Sequence, residues 1–457
     1  MSEGTRLRFA ATTTTLDAAL ARLDALGATG GGAVGPALRR AALTAYRRAG
    51  AVRLEMPSGW RHPYDALRFG DAVWSAGRMR VPALPMHVPA ARPGDEDAPA
   101  LATENAGGIV HVGSTYLEPE GATGDRRVTL RSLADAMRAE PEAVRALLGR
   151  LVPPRADRFV ALATAFQNCG AFINVPAGVA IEAPLQTIWL SRPGETSAVF
   201  PQTVVRLGAG ARATIVERHV GSRENVTAGT VEIDLGPGAR LDYVVVQQAD
   251  DGARLAMRRA ARVGAGAAIG WHVAELGGAL SRSIVESHLA GEGATSRTSV
   301  LGCPRGFAHL DLAVASLHRA AGTRADVATR LVLGEHARAR LAGGPRVARD
   351  VAARGIDAVV SDGTLLLSRH ARLLTTPTLD AASHEARFRR ASAIGSLDPE
   401  ALFYVASRGI AAGRAVAMLA LAYLEPAIAR FPSEALRDEV RSALDERLDA
   451  VPDTFAS

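Results

Sequence analysis

Along the middle of the chain, apolar and polar residues alternate in short runs punctuated by glycine turns. Phe172-Ile173-Asn174-Val175, Val179-Ala180-Ile181 and Gln186-Thr187-Ile188-Trp189-Leu190 open the series, rich in the β-branched and aromatic residues that strands prefer. Gly208-Ala209-Gly210-Ala211-Arg212 is then echoed at Gly236-Pro237-Gly238-Ala239-Arg240, Gly264-Ala265-Gly266-Ala267 and Gly291-Glu292-Gly293-Ala294, a spacing of about 28 residues. Two looser copies follow at Gly334-Glu335-His336-Ala337 and Ser368-Arg369-His370-Ala371. Each unit joins a tight turn, where glycine tolerates positive φ, to alternating residues that turn one face inward. One unit cannot bury that face alone, whereas stacked units share a continuous core. The pattern predicts a mainly β protein with a β-solenoid over residues 170–397, a shape suited to holding partners.

The ends follow a helical period. Leu16 to Leu23 and Pro36 to Ala49 carry helix-compatible apolar spacing, residues Pro82 to Pro99 are a proline-rich linker, and helices are expected over Leu130–Arg150 and Arg155–Asn168. Residues 1–169 are thus a mostly helical N-terminal region. Asp398-Pro399-Glu400 opens a helical C-terminal region, residues 398–457, which Gly409 interrupts. A second helix runs through Ala415 to Leu424 and a third starts at Ser433, the whole covering one end of the solenoid or carrying a docking surface.

Composition narrows the chemistry. All 53 basic residues are arginine, so there is no Schiff-base lysine and no GK[ST] loop to hold a nucleotide. A net charge of +6 raises the question of nucleic acid, but 47 acidic residues, 5% aromatics and scattered arginines do not make a stacking groove. Cys169 and Cys303 are far apart, which excludes a disulfide framework and a cysteine-only metal site. The first residues lack a signal-peptide pattern and Ala415 to Leu424 is too short to span a bilayer, so a cytoplasmic protein is expected.

The run Ala382-Ser383-His384-Glu385-Ala386, followed by Ala393-Ile394-Gly395-Ser396-Leu397-Asp398-Pro399-Glu400-Ala401-Leu402-Phe403-Tyr404-Val405-Ala406-Ser407-Arg408-Gly409-Ile410, resembles the C-terminal signature of the SufB and SufD family. Thr164 to Val179, Ile356-Asp357 and Leu365-Leu366-Leu367-Ser368 are similar to further family segments, so the resemblance spans roughly Arg155 to Arg430. It implies a non-enzymatic scaffold of iron-sulfur cluster assembly, a right-handed parallel β-helix that pairs with SufB and docks the ABC-type ATPase SufC through its C-terminal helices. Ser361 stands where SufB carries a cysteine, which favours the SufD side.

Within that resemblance His384, with Glu385 beside it, matches the interface position at which an imidazole completes a ligand set begun by a SufB cysteine around a nascent iron-sulfur cluster. About five residues around Arg387 to Ala391 read as an insertion that lengthens the following loop and adds Arg387, Arg389 and Arg390. Phe403, Tyr404 and Arg408 fall in the elements assigned to the ATPase contact, where packing is the simpler role for the two rings. Nothing in the residues speaks for or against a flavin, and an exposed solenoid edge leaves a homodimer as open as a heterodimer. The competing class is a carbohydrate-active β-helix enzyme, which requires two or three carboxylates on adjacent coils in an open groove.

Overall fold

A computed structural model describes residues 7–8, 34–48, 73–74, 77–78, 107–112, 115–117, 127–190, 198–221, 225–349, 351, 353–381 and 385–449. Leu16 to Leu23, the linker Pro82 to Pro99 and His384 lie outside these residues.

From Cys169 onward the chain alternates between two sheets, giving the expected parallel β-solenoid. The first takes Cys169–Val175, Pro201–Leu207, Val226–Leu235, Arg254–Val263, Leu280–Leu289, His309–His318, Arg338–Val347 and Arg372–Pro377. The second takes Leu185–Leu190, Arg212–Gly221, Arg240–Ala249, Ala268–Glu275, Thr295–Gly302, Arg324–Leu333, Asp357–Leu366 and Arg387–Ser396. Neighbours within each sheet pair in parallel and in register, as in Arg212↔Arg240 and Leu235↔Val263. The inward positions of both sheets, among them Ile215, Ile233, Tyr243, Trp271, Val285 and Leu331, form one core along the axis. At about 1.5–3 kcal/mol for each large side chain fully buried, this continuous core is the main source of stability.

The glycine turns carry the chain from the first sheet to the second and form a ladder of their own. The N–H groups of Gly210, Gly238, Gly266 and Gly322 donate to Pro237, Ala265, Glu292 and Arg354 carbonyls at 2.8, 2.8, 2.9 and 2.9 Å. Gly210 needs its glycine because φ is +68°. Gly291 needs it because a Cβ there would sit 2.0 Å from the backbone nitrogen of Ala265. The two looser copies belong elsewhere: Gly334–Ala337 and Ser368–Ala371 join the second sheet to the first, at the opposite corner. Both corners demand compact turns, so similar residues recur at places half a coil apart.

Three other expectations change. The residues read as an insertion, Arg387 to Ala391, begin the final strand Arg387–Ser396 rather than lengthen a loop. Leu130–Arg150 is not one helix: Thr129–Ser132 pairs antiparallel with Cys169–Val175, followed by short helices α2 (Leu133–Ala139) and α3 (Pro141–Arg145). Pro141 cannot continue the α2 hydrogen-bond ladder, which splits the segment. The helix expected over Arg155–Asn168 is shorter, Arg158–Ala165, and Cys169 starts a strand.

Helix α1 (Pro36–Arg48) and helix α4 (Arg158–Ala165) form the described N-terminal layer. Buried Arg39 ties them, its guanidinium donating to the carbonyls of Val34, Ala165 and Gln167 at 2.8, 3.1 and 3.0 Å. Asp157 caps α4 through Oδ1, while its Oδ2 meets Arg258 at 3.1 Å and Arg282 at 3.4 Å on the first sheet.

The C-terminal helices are α5 (Pro399–Ser407), α6 (Ala412–Ile428) and α7 (Glu434–Asp449), separated after α5 by Gly409 at φ +84°. They do not cap an end. Helices α6 and α7 lie along the outer face of the second sheet, where Leu424, Phe431, Val440 and Leu444 pack on Val216, Val244, Leu301 and Leu365. Those outward positions are apolar, so this face needs a cover that the sequence pattern of a half-solvated strand does not announce.

Candidate functional site

The solenoid ends in a coil that is open on one side. Arg387–Ser396 pairs with Asp357–Leu366 along one edge, and it is the outermost strand of its sheet among the described residues. Most of its residues are exposed. Ser361 lies on the neighbouring strand with its side chain outward and half-buried, opposite Ala391, and its carbonyl accepts from Arg330 at 3.2 Å. The next residue points the other way. Asp362 is buried and accepts from Arg390 at 2.5 Å, while the same guanidinium reaches the Gly343 carbonyl at 3.1 Å on the first sheet. Burial pushes the Asp362 carboxyl up, and Arg390 opposes that. Arg390 therefore bridges both sheets across the mouth of the lumen.

Of the three arginines expected near the site, Arg389 pairs with Asp357 at 3.2 Å and Arg390 with Asp362, which leaves Arg387 exposed. Glu385 is exposed beside this strand. The structure thus brings Glu385, Ser361 and the arginines to the terminal coil, while the position of His384 is outside the described residues.

Phe403, Tyr404 and Arg408 are brought together on α5. Helix α5 buries none of its residues, Phe403 is 74% and Tyr404 60% exposed, and the Arg408 guanidinium lies 5.1 Å over the Tyr404 ring while donating to its Oη at 3.1 Å. Packing within this chain does not account for two exposed rings on one helix, so the simpler reading for them does not hold.

The cysteines are not poised for chemistry. Cys169 and Cys303 are both buried, in separate clusters, and burial pushes both thiols up, away from the thiolate that would bind metal or attack sulfur. Among the described residues no group of three or more His, Cys, Asp or Glu is placed to hold a metal ion. The carboxylates that neighbouring coils bring together on the first sheet are all occupied: Glu286 by Arg258, and Asp311 by Arg282 and Arg340. The open acid–base groove that a carbohydrate-active enzyme requires is not formed by them.

Sequence reasoning missed a charged network inside the solenoid. Glu217 and His219 follow Ile215 at two-residue steps and so share its inward face. The Glu217 carboxylate accepts from Arg259 at 2.9 and 3.1 Å, from the Tyr243 hydroxyl at 2.7 Å, and meets His219 Nε2 at 2.5 Å. Arg259 continues to Ser283 Oγ at 3.3 Å, and Glu275 accepts from Ser281 at 2.7 Å. Burial alone would push the Glu217 carboxyl up. The Arg259 charge and the hydrogen bonds from His219 and Arg259 outweigh it and hold the group below the usual carboxylate range. The signal was present as polar residues at inward parity, yet it is readable only once the register is known.

The fold is thus a parallel β-solenoid with a charged network in its lumen and exposed rings on helix α5. The chain belongs to the SufBD family: residues 190–423 match the SUF system FeS cluster assembly SufBD core domain, and residues 108–187 the SufBD N-terminal region. An iron-sulfur cluster assembly SufBD family protein of Staphylococcus saprophyticus is 24% identical over 328 residues, covering 70% of this chain and 69% of the relative. The iron-sulfur cluster assembly protein SufB of Bacillus subtilis is 22% identical over 310 residues, 67% of this chain and 66% of its own. A SufBD family protein of Mycobacterium leprae is 25% identical over 281 residues, 61% of this chain and 32% of that longer protein. Among the described residues no helix is long and apolar enough to cross a membrane.

Proposed function

We propose that this chain is a SufD-like, non-catalytic subunit of a cytoplasmic Suf-type complex, pairing with a SufB-type chain through its open terminal coil and docking a SufC-type ATPase on α5. The observation that carries the docking reading is α5 itself, a helix with no buried residue that displays Phe403 and Tyr404 side by side. Two exposed aromatics, one of them stacked under the Arg408 guanidinium, are the composition of an interface centre. Ser361 supports the SufD side, because a serine hydroxyl beside a guanidinium is a poor substitute for a thiolate toward iron or sulfide. His384 and Glu385 then contribute to the cargo cluster only together with a partner's ligands.

Native mass spectrometry of the complex purified from its own cells tests this reading. A complex containing SufB-type and SufC-type subunits is expected, with the ATPase lost in Phe403→Ala plus Tyr404→Ala and the SufB-type subunit retained. His384→Ala is expected to leave assembly intact and lower cluster yield. A chain that purifies alone, or an ATPase retained by the double variant, rejects the docking assignment.

A further inference from the structure

The corner opposite the glycine ladder carries a stack of exposed rings. Phe307 and His336 lie 4.9 Å apart at 6°, and His336 and His370 4.8 Å apart at 23°. The row is set by the backbone. Each ring stands two residues before the in-register set His309, Arg338 and Arg372, and His336 N–H donates to the Gly306 carbonyl at 3.0 Å. Glu335, at φ +50°, is the one non-glycine residue with positive φ among the described residues. It occupies the turn position that the preceding coil gives to Gly306, at φ +59°. A strained non-glycine residue persists where its surroundings hold it, and here its carboxylate takes Arg305 at 3.1 Å.

The stack has one open face. Phe307 is 84% exposed, and the matching place on the preceding coil is Gly278, two residues before Leu280, which offers no side chain to cover it. At the other end of the row the charge is positive. Arg369 and Arg372 are exposed and meet no carboxylate among the described residues; Arg369 Nε points to His370 Nε2 at 3.4 Å and Arg372 donates to the carbonyls of its own turn. The neighbouring Arg305 is already neutralised.

We propose that this corner docks an acidic protein segment bearing one aromatic side chain, whose ring stacks on Phe307 and whose carboxylates meet Arg369 and Arg372. A ring fixed by stacking before contact loses little entropy on binding, which suits an anchor. The row places His370 about 10 Å from Phe307, the reach of three extended residues at about 3.3 Å each. A single-stranded nucleic acid fits less well, because it needs successive free ring faces and a long basic track, whereas here the rings cover one another and the free guanidiniums span one turn. The proposal uses none of the α5 residues assigned to ATPase docking and does not depend on the pairing proposed above.

Fluorescence anisotropy of the full chain with a short labelled peptide of glutamates and serines, carrying one tryptophan, tests the proposal. Saturable binding that weakens with salt is expected. Phe307→Ala, the pair Arg369→Glu with Arg372→Glu, and replacement of the peptide tryptophan by serine should each weaken it by about tenfold or more, while Phe307→Tyr keeps it. These positions are exposed, so unchanged thermal unfolding of the variants confirms that the fold is intact. Absence of saturable binding, or an affinity indifferent to Phe307 or to both arginines, overturns the proposal. So does a poly-dT strand that binds more tightly than the peptide with the same dependence on Phe307.

Discussion

The sealed middle of the solenoid and its open last coil each hold a carboxylate–arginine pair facing inward. Glu217 and Arg259 lie deep in the lumen, with Tyr243 and His219 completing the carboxylate's bonds. Asp362 and Arg390 lie at the mouth, where the Arg390 side chain keeps 13% of its exposure. The same chemistry is therefore a fixed structural element in one place and an adjustable edge in the other. The difference comes from coils on both sides in the first case and on one side in the second.

The largest effect expected from this contrast is Glu217→Ala, which removes the carboxylate bonded to the buried Arg259. Loss of about 3–5 kcal/mol in urea unfolding is predicted, against a smaller loss for Asp362→Asn, whose amide oxygen can still accept from the Arg390 guanidinium. Equal losses would erase the distinction between middle and mouth.

Next come the glycines. Gly291→Ala forces a Cβ onto the backbone of the adjacent coil, and a cost of about 1–3 kcal/mol is expected. Gly395→Ala on the terminal strand meets nothing within 4 Å and should cost far less. Comparing their melting temperatures checks whether the last coil is as tightly stacked as the rest.

A smaller effect follows from pH. Burial lowers His111 to about 3 and His318 to about 4 from 6.5, so the folded chain keeps both rings neutral where the unfolded chain protonates them. Stability is then full above pH 6.5 and falls as the pH drops toward 4, by up to about 1.4 kcal/mol per pH unit for each ring. His318→Gln should flatten one ring's share of that slope in unfolding measured across this range. The smallest effect is expected at α5: Phe403→Ala should change stability by less than about 0.5 kcal/mol, in contrast to its effect on partner capture.

The coils were legible in the sequence because the glycine turns from Gly208 to Gly291 obey one steric rule at one spacing. The strand Arg387–Ser396 was not, since its arginines at Arg387, Arg389 and Arg390 look like a solvated loop until Asp357 and Asp362 are seen opposite them. The exposed signature residues Phe403, Tyr404 and Arg408 could be placed on one helix from spacing alone. The lumen network could not, because Glu217 and Arg259, about 40 residues apart, meet only once the two sheets are set face to face across the lumen. The flank under α6 and α7 was hidden for a related reason: strands apolar on both faces do not reveal which face a helix will cover.

Helices α6 and α7 touch strands from Val216 to Leu365 although they follow all of those strands in sequence. In kinetic terms they act as a late clamp. Coils can add one upon another as they emerge, each needing only its predecessor, but until the final helices dock, every coil remains free to peel away from the growing end. Once they dock, peeling must lift one helix from many coils together. Residues that have no place in the repeat thus tie its coils to one another.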